Sequence, residues 1–154
     1  MFFDNLKKQN DVTSGWLADV IWIAAHTGAR TDAIAQLEYN SDDQTISFPT
    51  LKFVKKSRTI PAHPDLRPHL KSWMKNKKSE YSIRNRFPEF KTDLGYGFER
   101  DFHSFRRAFI TQIENIGVPK SVTANIVGHK KKTMTCGLYS DGTSIDVMRR
   151  HHSN

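Results

Sequence analysis

Six side chains able to handle a phosphodiester come in order along this 154-residue chain: Arg30, Lys52, the pair His103 and Arg106, then His129 and Tyr139. A phosphodiester undergoing displacement gathers negative charge on its non-bridging oxygens, and guanidinium forks and imidazoles are well shaped to hold it. A tyrosine hydroxyl can supply the nucleophile. Each group has an ordinary reading when taken singly. A lone His or Tyr is usually structural, and Arg30 at a helix start could simply pair with Asp32. His103 and Arg106 stand three positions apart where the apolar spacing is helical, so one face can aim both at one spot. The order of these groups carries the reading, with Thr27-Gly28-Ala29 directly ahead of Arg30 and Gly128 directly ahead of His129.

Bulk properties agree with a polyanionic partner. Lys and Arg total 24 against 16 acidic residues, a formal charge of +8 with a pI near 9.7. The single cysteine, Cys136, excludes an intrachain disulfide, and no Cys/His spacing suits zinc, so neither metal nor cofactor is expected and a reducing cytoplasmic setting is. No apolar run approaches a membrane span, and Met1-Phe2-Phe3-Asp4 does not open like a signal peptide, so no membrane partner is expected either. Lys130, Lys131 and Lys132 adjoin His129 and, with Arg107 beside Arg106, are candidates for contact with a phosphate backbone; Lys75, Lys77 and Lys78 read as solvated loop charge.

The elements that must position these groups are mainly helical, with a small antiparallel sheet: an α+β chain of one domain, residues 1–154. Thr13 or Ser14 can cap a helix with Leu17, Val20, Ile21, Ala24 and Ala25 at helical spacing and Gly28 as its stop. A shorter helix through Ala33, Ile34 and Leu37 precedes a turn at Asn40 to Asp43. Thr45 to Phe48, Leu51 to Val54 and Arg58 to Ile60 read as three short strands, with Pro49 and Pro61 keeping them near an edge. Pro64 to Lys75 is predicted helical, burying Leu66, Leu70 and Trp73. Pro88, Gly95 and Gly97 break the stretch from Ser79 to Gly97 into loop and short helix. A strong helix follows from Phe102 to Ile116 along Phe105, Phe109, Ile113 and Ile116, another from Pro119 to Gly128, and a last one from Ser144 to His151.

With these motifs in place, the chain resembles the catalytic domain of the tyrosine recombinases, the phage-integrase type of site-specific DNA recombinase, across nearly its whole length. Thr27-Gly28-Ala29-Arg30 with Ile34, Ala35, Gln36 and Leu37 looks like the family's first arginine motif, and His103-Ser104-Phe105-Arg106-Arg107 like its His-x-x-Arg motif. Val127-Gly128-His129 looks like its Leu-Gly-His segment, and Thr135 to Tyr139 with Ser140 like its nucleophile segment. The family's catalytic lysine lies in a hairpin closed by an apolar-Pro signature, here Thr59-Ile60-Pro61; Lys52 fits best, with Lys55 and Lys56 in the same hairpin.

The resemblance implies that Tyr139 attacks the scissile phosphate to form a 3′-phosphotyrosyl bond. Arg30 and Arg106 would clamp the non-bridging oxygens, Lys52 would protonate the leaving 5′ oxygen, His103 would assist proton transfer, and His129 would hydrogen-bond the phosphate. It further implies double-stranded DNA as partner, a monomer when free, a homotetramer on paired sites, DNA-bending accessory proteins, and a bacterial or phage-encoded origin. Two departures stand out. The family has an acidic residue three positions after its first arginine, where this chain has Ala33 with Asp32 one step earlier, rotated about 100° around a helix. The first motif also lies close to Met1, so the family's separate N-terminal DNA-binding domain is expected to be absent and the chain to be an excised or truncated catalytic domain. Competing readings are a type IB topoisomerase, which shares the chemistry, and a non-catalytic DNA-binding remnant of an integrase.

Overall fold

The computed structural model describes residues 15–51, 56–93, 95, 97, 100–129, 145 and 149. Its centre is helix α1 (Gly15–Thr27), in which Leu17, Val20, Ile21, Ile23 and Ala24 are all buried. A helix apolar on more than one face must be covered on more than one side. Four helices cover it: α2 (Thr31–Gln36), α3 (Arg67–Lys75), α4 (Glu80–Asp93) and α5 (His103–Asn115). The last helix of the bundle, α6 (Lys120–Val127), packs against α5. No helix among the described residues is long and apolar enough to cross a membrane.

A three-stranded antiparallel sheet lies against the bundle in the order β1 (Glu38–Asn40), β2 (Thr45–Phe48), β3 (Arg58–Pro61). Each strand meets a different helix: β1 meets α3, β2 meets α2, and β3 meets α6. Ile46 and Phe48 of β2 and Ile60 of β3 join the core. The register sets Phe48 opposite Arg58 and Ile46 opposite Ile60, so those pairs share a face of the sheet.

Three expectations are corrected. The sheet begins one element earlier than the sequence pattern indicates. Glu38–Asn40 is a strand, made so by pairing Tyr39 with Ile46 across a turn in which Asn40 Oδ1 accepts from the backbone N–H groups of Asp42 and Asp43. Of the expected Leu51–Val54 strand, Leu51 makes a lone bridge and the rest lies outside the described residues. The stretch after Ser79 is one 14-residue helix, because Ile83, Phe87 and Phe90 recur at helical spacing and bury together. Pro88 is tolerated there on the exposed side. Arg84, whose carbonyl loses its partner four residues on, is solvent-exposed. Ile116 leaves the expected apolar stripe at 58% exposure, since α5 ends at Asn115 and Ile116 caps it. The expected C-terminal helix falls largely outside the described residues. Ile145 and Arg149 are helical, and Arg149 Nη2 donates to the Asp43 carbonyl at 2.9 Å.

Two further contacts fix the helices that carry the candidate site. Trp73, fully buried on α3, donates Nε1–H to the Ile34 carbonyl of α2 at 3.0 Å. Phe87 of α4 meets Phe102 and Phe105 edge to face, with ring centroids 5.2 and 6.0 Å away, and so docks the first turn of α5.

The corner between α1 and α2 is closely packed. Gly28 has φ +62°, and a Cβ there would stand 2.8 Å from Phe109 Cδ1 and 3.1 Å from Val127 Cγ1. Gly28→Ala therefore combines left-handed strain with a clash into α5 and α6. It is expected to destabilise the chain by about 1–3 kcal/mol, read as a lowered midpoint in chemical denaturation.

Candidate functional site

The corner shapes the first site residue. Thr27 ends α1 with its hydroxyl turned back onto the Ile23 carbonyl at 2.6 Å while the same oxygen accepts the N–H of Ala29 at 3.1 Å. Gly28 turns the chain through the left-handed region, Ala29 is buried, and Arg30 emerges exposed as the N-cap of α2. Each residue of Thr27-Gly28-Ala29-Arg30 thus has its own task in delivering one guanidinium. Among the described residues Arg30 makes no ion pair with Asp32. Asp32 Oδ1 instead accepts the Ala33 N–H at 2.8 Å.

Arg106 turns inward from α5. It is 3% exposed, and its Nη1 donates 2.8 Å to the carbonyl of Gly28. Its Nε is buried without a hydrogen-bond partner among the described residues. Burial, then the charge of Arg30, lowers its pKa to about 10, against an opposing pull from Asp32. His103, one turn earlier, is exposed at the start of α5.

His129 follows the end of α6. Gly128 caps that helix at φ 69°, and the His129 N–H returns to the Ala124 carbonyl at 2.9 Å. Both imidazoles are held below the ordinary histidine value. Burial acts first on each, followed by Arg106; Arg107 and Arg30 add to the effect at His103, and Arg30 and His103 add to it at His129. Arg30, His103, Arg106 and His129, scattered over a hundred positions, therefore share one electrostatic environment.

A further cation joins them that sequence reasoning missed. Arg58 of β3 is half-buried; its Nε donates to the Ile126 carbonyl at 3.0 Å and its Cζ lies 4.1 Å from the centroid of the Phe48 ring. Its pKa is lowered to about 10 by burial and then by Arg106, with Asp32 opposing and Arg30 adding. Arg30, Arg58 and Arg106 line one shallow cleft with Asp32, Ala33, Leu51, Val127 and Gly128. Three guanidiniums against one lining carboxylate leave a positive excess where burial makes charge costly, an arrangement that suits a bound anion. The one signal in sequence was Arg58's place in a strand otherwise apolar toward the core.

The other expected site residues are not all placed. Lys52, Lys55, Lys130, Lys131, Lys132 and Tyr139 lie outside the described residues, and Lys56 is exposed. Arg107 is exposed and bonded by Nη2 to Asp101 Oδ1 at 3.0 Å and to Ser104 Oγ at 2.9 Å. The Ser104 hydrogen bond, followed by Arg107, holds the Asp101 carboxyl below its usual value despite some desolvation. Among the described residues no group of three or more His, Cys, Asp and Glu side chains is arranged to hold a metal ion.

The same architecture occurs in solved structures. The integrase of the Tn1549 transposon, in complex with circular intermediate DNA, superposes with a TM-score of 0.67 at 18% identity, covering 95% of this chain and 60% of that one. The integrase of mycobacterium phage Brujita gives 0.64 at 19% identity over 81% of this chain and 47% of that one. A lambda integrase dimer bound to a core site gives 0.63 at 18% identity over 89% and 57%. This chain has the fold of the tyrosine recombinase catalytic domain. It spans 60% or less of the length of these relatives. No family model and no curated protein matches the sequence.

The two depressed imidazoles predict a pH dependence. A histidine whose folded pKa lies below its unfolded value of about 6.5 binds its proton more readily in the unfolded chain. The stability it contributes is present above that unfolded value and lost as pH falls through the folded one. Between pH 7 and about 5 the chain is expected to lose thermal stability, with a shallower slope in the double variant His103→Gln, His129→Gln. Sulfate should also flatten the slope, because an anion in the cleft raises both pKa values. Melting curves across pH with and without sulfate check this.

Proposed function

We propose that this chain is the catalytic domain of a tyrosine-type site-specific DNA recombinase, breaking and rejoining strands of duplex DNA through a 3′-phosphotyrosyl intermediate. One observation carries the reading: Arg30 and Arg106, expected from their motifs to hold a phosphate, line with Arg58 a cleft that has a single carboxylate, and the charges of Arg30 and Arg106 act on both His103 and His129. The likeness to integrases solved with DNA supports it.

In this mechanism the Tyr139 oxygen attacks phosphorus, the bond to the 5′ oxygen breaks, and the proton lost by tyrosine is matched by one delivered to the leaving group. Arg30, exposed and pre-set by its N-cap conformation, and Arg106, braced on Gly28, hold the non-bridging oxygens. A donor braced before the substrate arrives, as Arg106 is, stabilises developing charge with little reorganisation. His103 is held toward its neutral form, the form that can accept a proton from a tyrosine whose own pKa is about 10. Lys52 is the proposed proton donor, and Lys130, Lys131, Lys132 and Arg107 would contact the DNA backbone. In the full assembly four protomers would act on two paired sites.

A duplex nicked beside the scissile bond traps the covalent product. Wild type is expected to attach to it, and Tyr139→Phe to bind the duplex without attachment. A Phe variant that still attaches, or wild type that binds and never attaches, would overturn the proposal, the second outcome marking a DNA-binding remnant.

Arg30→Ala and Arg106→Ala are each expected to slow attachment by about 10²- to 10³-fold, but they should part in stability. Arg30 is exposed and its loss should leave the denaturation midpoint near wild type. Loss of Arg106 should lower that midpoint, because it leaves the buried Gly28 carbonyl unpaired. EDTA is expected to leave attachment unchanged, since arginines supply the charge stabilisation; loss restored by Mg²⁺ would indicate a nuclease instead.

A further inference from the structure

Arg58 belongs to none of the motifs above, yet its side chain hydrogen-bonds from the sheet to the end of α6. Its position follows from register. Arg58 and Phe48 are cross-strand partners, so the guanidinium falls over a ring that is itself 1% exposed. From that seat Nε reaches the Ile126 carbonyl in the last turn of α6. Gly128, two residues on, is pressed against the same group: a Cβ there would lie 2.8 Å from Arg58 Nη1 and 3.0 Å from Cζ. The residue after Gly128 is His129.

We propose that Arg58 is a positioning residue: seated on Phe48 and bonded to Ile126, it locks the Gly128–His129 corner to the sheet and so sets where His129 stands relative to Arg106 and Arg30. The shape of the guanidinium does this. A lysine would carry the same charge at the tip of its stem, but it has no N–H at the Nε position and no flat face to lie on the ring while donating sideways. The charged groups acting on Arg58 are Arg106, Asp32 and Arg30; those acting on His129 are Arg106, Arg30 and His103. Because lysine keeps the charge and methionine removes it, a change at His129 common to both variants reports position rather than field. That His129 serves a phosphate rests on the proposed function; that Arg58 places it does not.

Arg58→Lys and Arg58→Met separate shape from charge. Methionine keeps a stem of similar volume on Phe48, and replacing a partly buried cation by such a residue is often neutral or stabilising, so this variant should fold even where the lysine one does not. The His129 titration is followed by NMR on the free protein, and attachment to the nicked duplex is measured in parallel. In both variants the His129 midpoint is expected to rise toward the ordinary value as Arg106 and Arg30 recede. Attachment should slow by about 10- to 100-fold, with duplex affinity changed far less. An unmoved His129 midpoint in the folded variants, or full rescue of rate by lysine, would overturn the proposal. Absence of attachment in wild type would count against the recombinase reading alone, because the His129 titration decides the role of Arg58 without DNA.

Discussion

The hydrogen bond from Arg106 to the carbonyl of Gly28 joins residues 78 positions apart and governs the rest of the site. On one side it requires a corner tight enough to present that carbonyl, which is why Gly28 must be left-handed and lack a side chain. On the other it requires α5 to bring a long cationic side chain to a place where it is 3% exposed. A buried guanidinium without a partner would be costly, and a buried carbonyl without a donor likewise. Each therefore excludes most alternative placements of the other. Because Phe109 and Val127 close on Gly28 from α5 and α6, the same corner also locates the helix that precedes His129.

The electrostatics then run against stability. Arg58 and Arg106 share the cleft with Arg30, and Asp32 alone among the groups acting on these two guanidiniums, one half-buried and one buried, offsets them. His103 and His129 are held toward their neutral forms by burial first, and then by charges that include Arg106 and Arg30. A cluster arranged for stability alone would place carboxylates among the arginines, as the surface does where Arg107 meets Asp101 and Lys77 meets Glu38. The cleft lacks that compensation, and a phosphate is the kind of ligand that would complete it.

Much of this was legible in the residues. Helical spacing located α1, α3, α5 and α6, and the order of basic groups singled out Arg30 and Arg106, which line one cleft. What escaped depends on tertiary context. Glu38-Tyr39-Asn40 has no strand-like alternation of its own; it becomes a strand because Thr45-Ile46-Ser47 offers an edge across a short turn. Pro88 argued against a helix that Ile83, Phe87 and Phe90 supported, and burial of those three prevailed over one missing backbone bond. That Arg106 would be 3% exposed and braced on a carbonyl 78 positions away is visible only in the folded chain. Arg58 was counted only as part of a strand, since nothing local reveals that its cross-strand partner is a buried ring or that a helix end 68 residues later waits above it.

The position of the acidic residue on α2 shows how the site compensates within one turn of helix. The integrase pattern expects a carboxylate three residues after Arg30, and here that place holds Ala33, 3% exposed and part of the core. A carboxylate at so buried a position would require its own partners. One step earlier, Asp32 is half-buried, and its charge acts favourably on both Arg58 and Arg106. Its hydrogen bond to the Ala33 N–H restrains it at the start of α2. Orientation of Arg30 is left to the backbone, whose extended conformation at the N-cap launches the side chain outward. Counter-charge and aim are thus assigned to separate devices: Asp32 serves Arg58 and Arg106, while the Thr27–Arg30 corner directs the exposed Arg30.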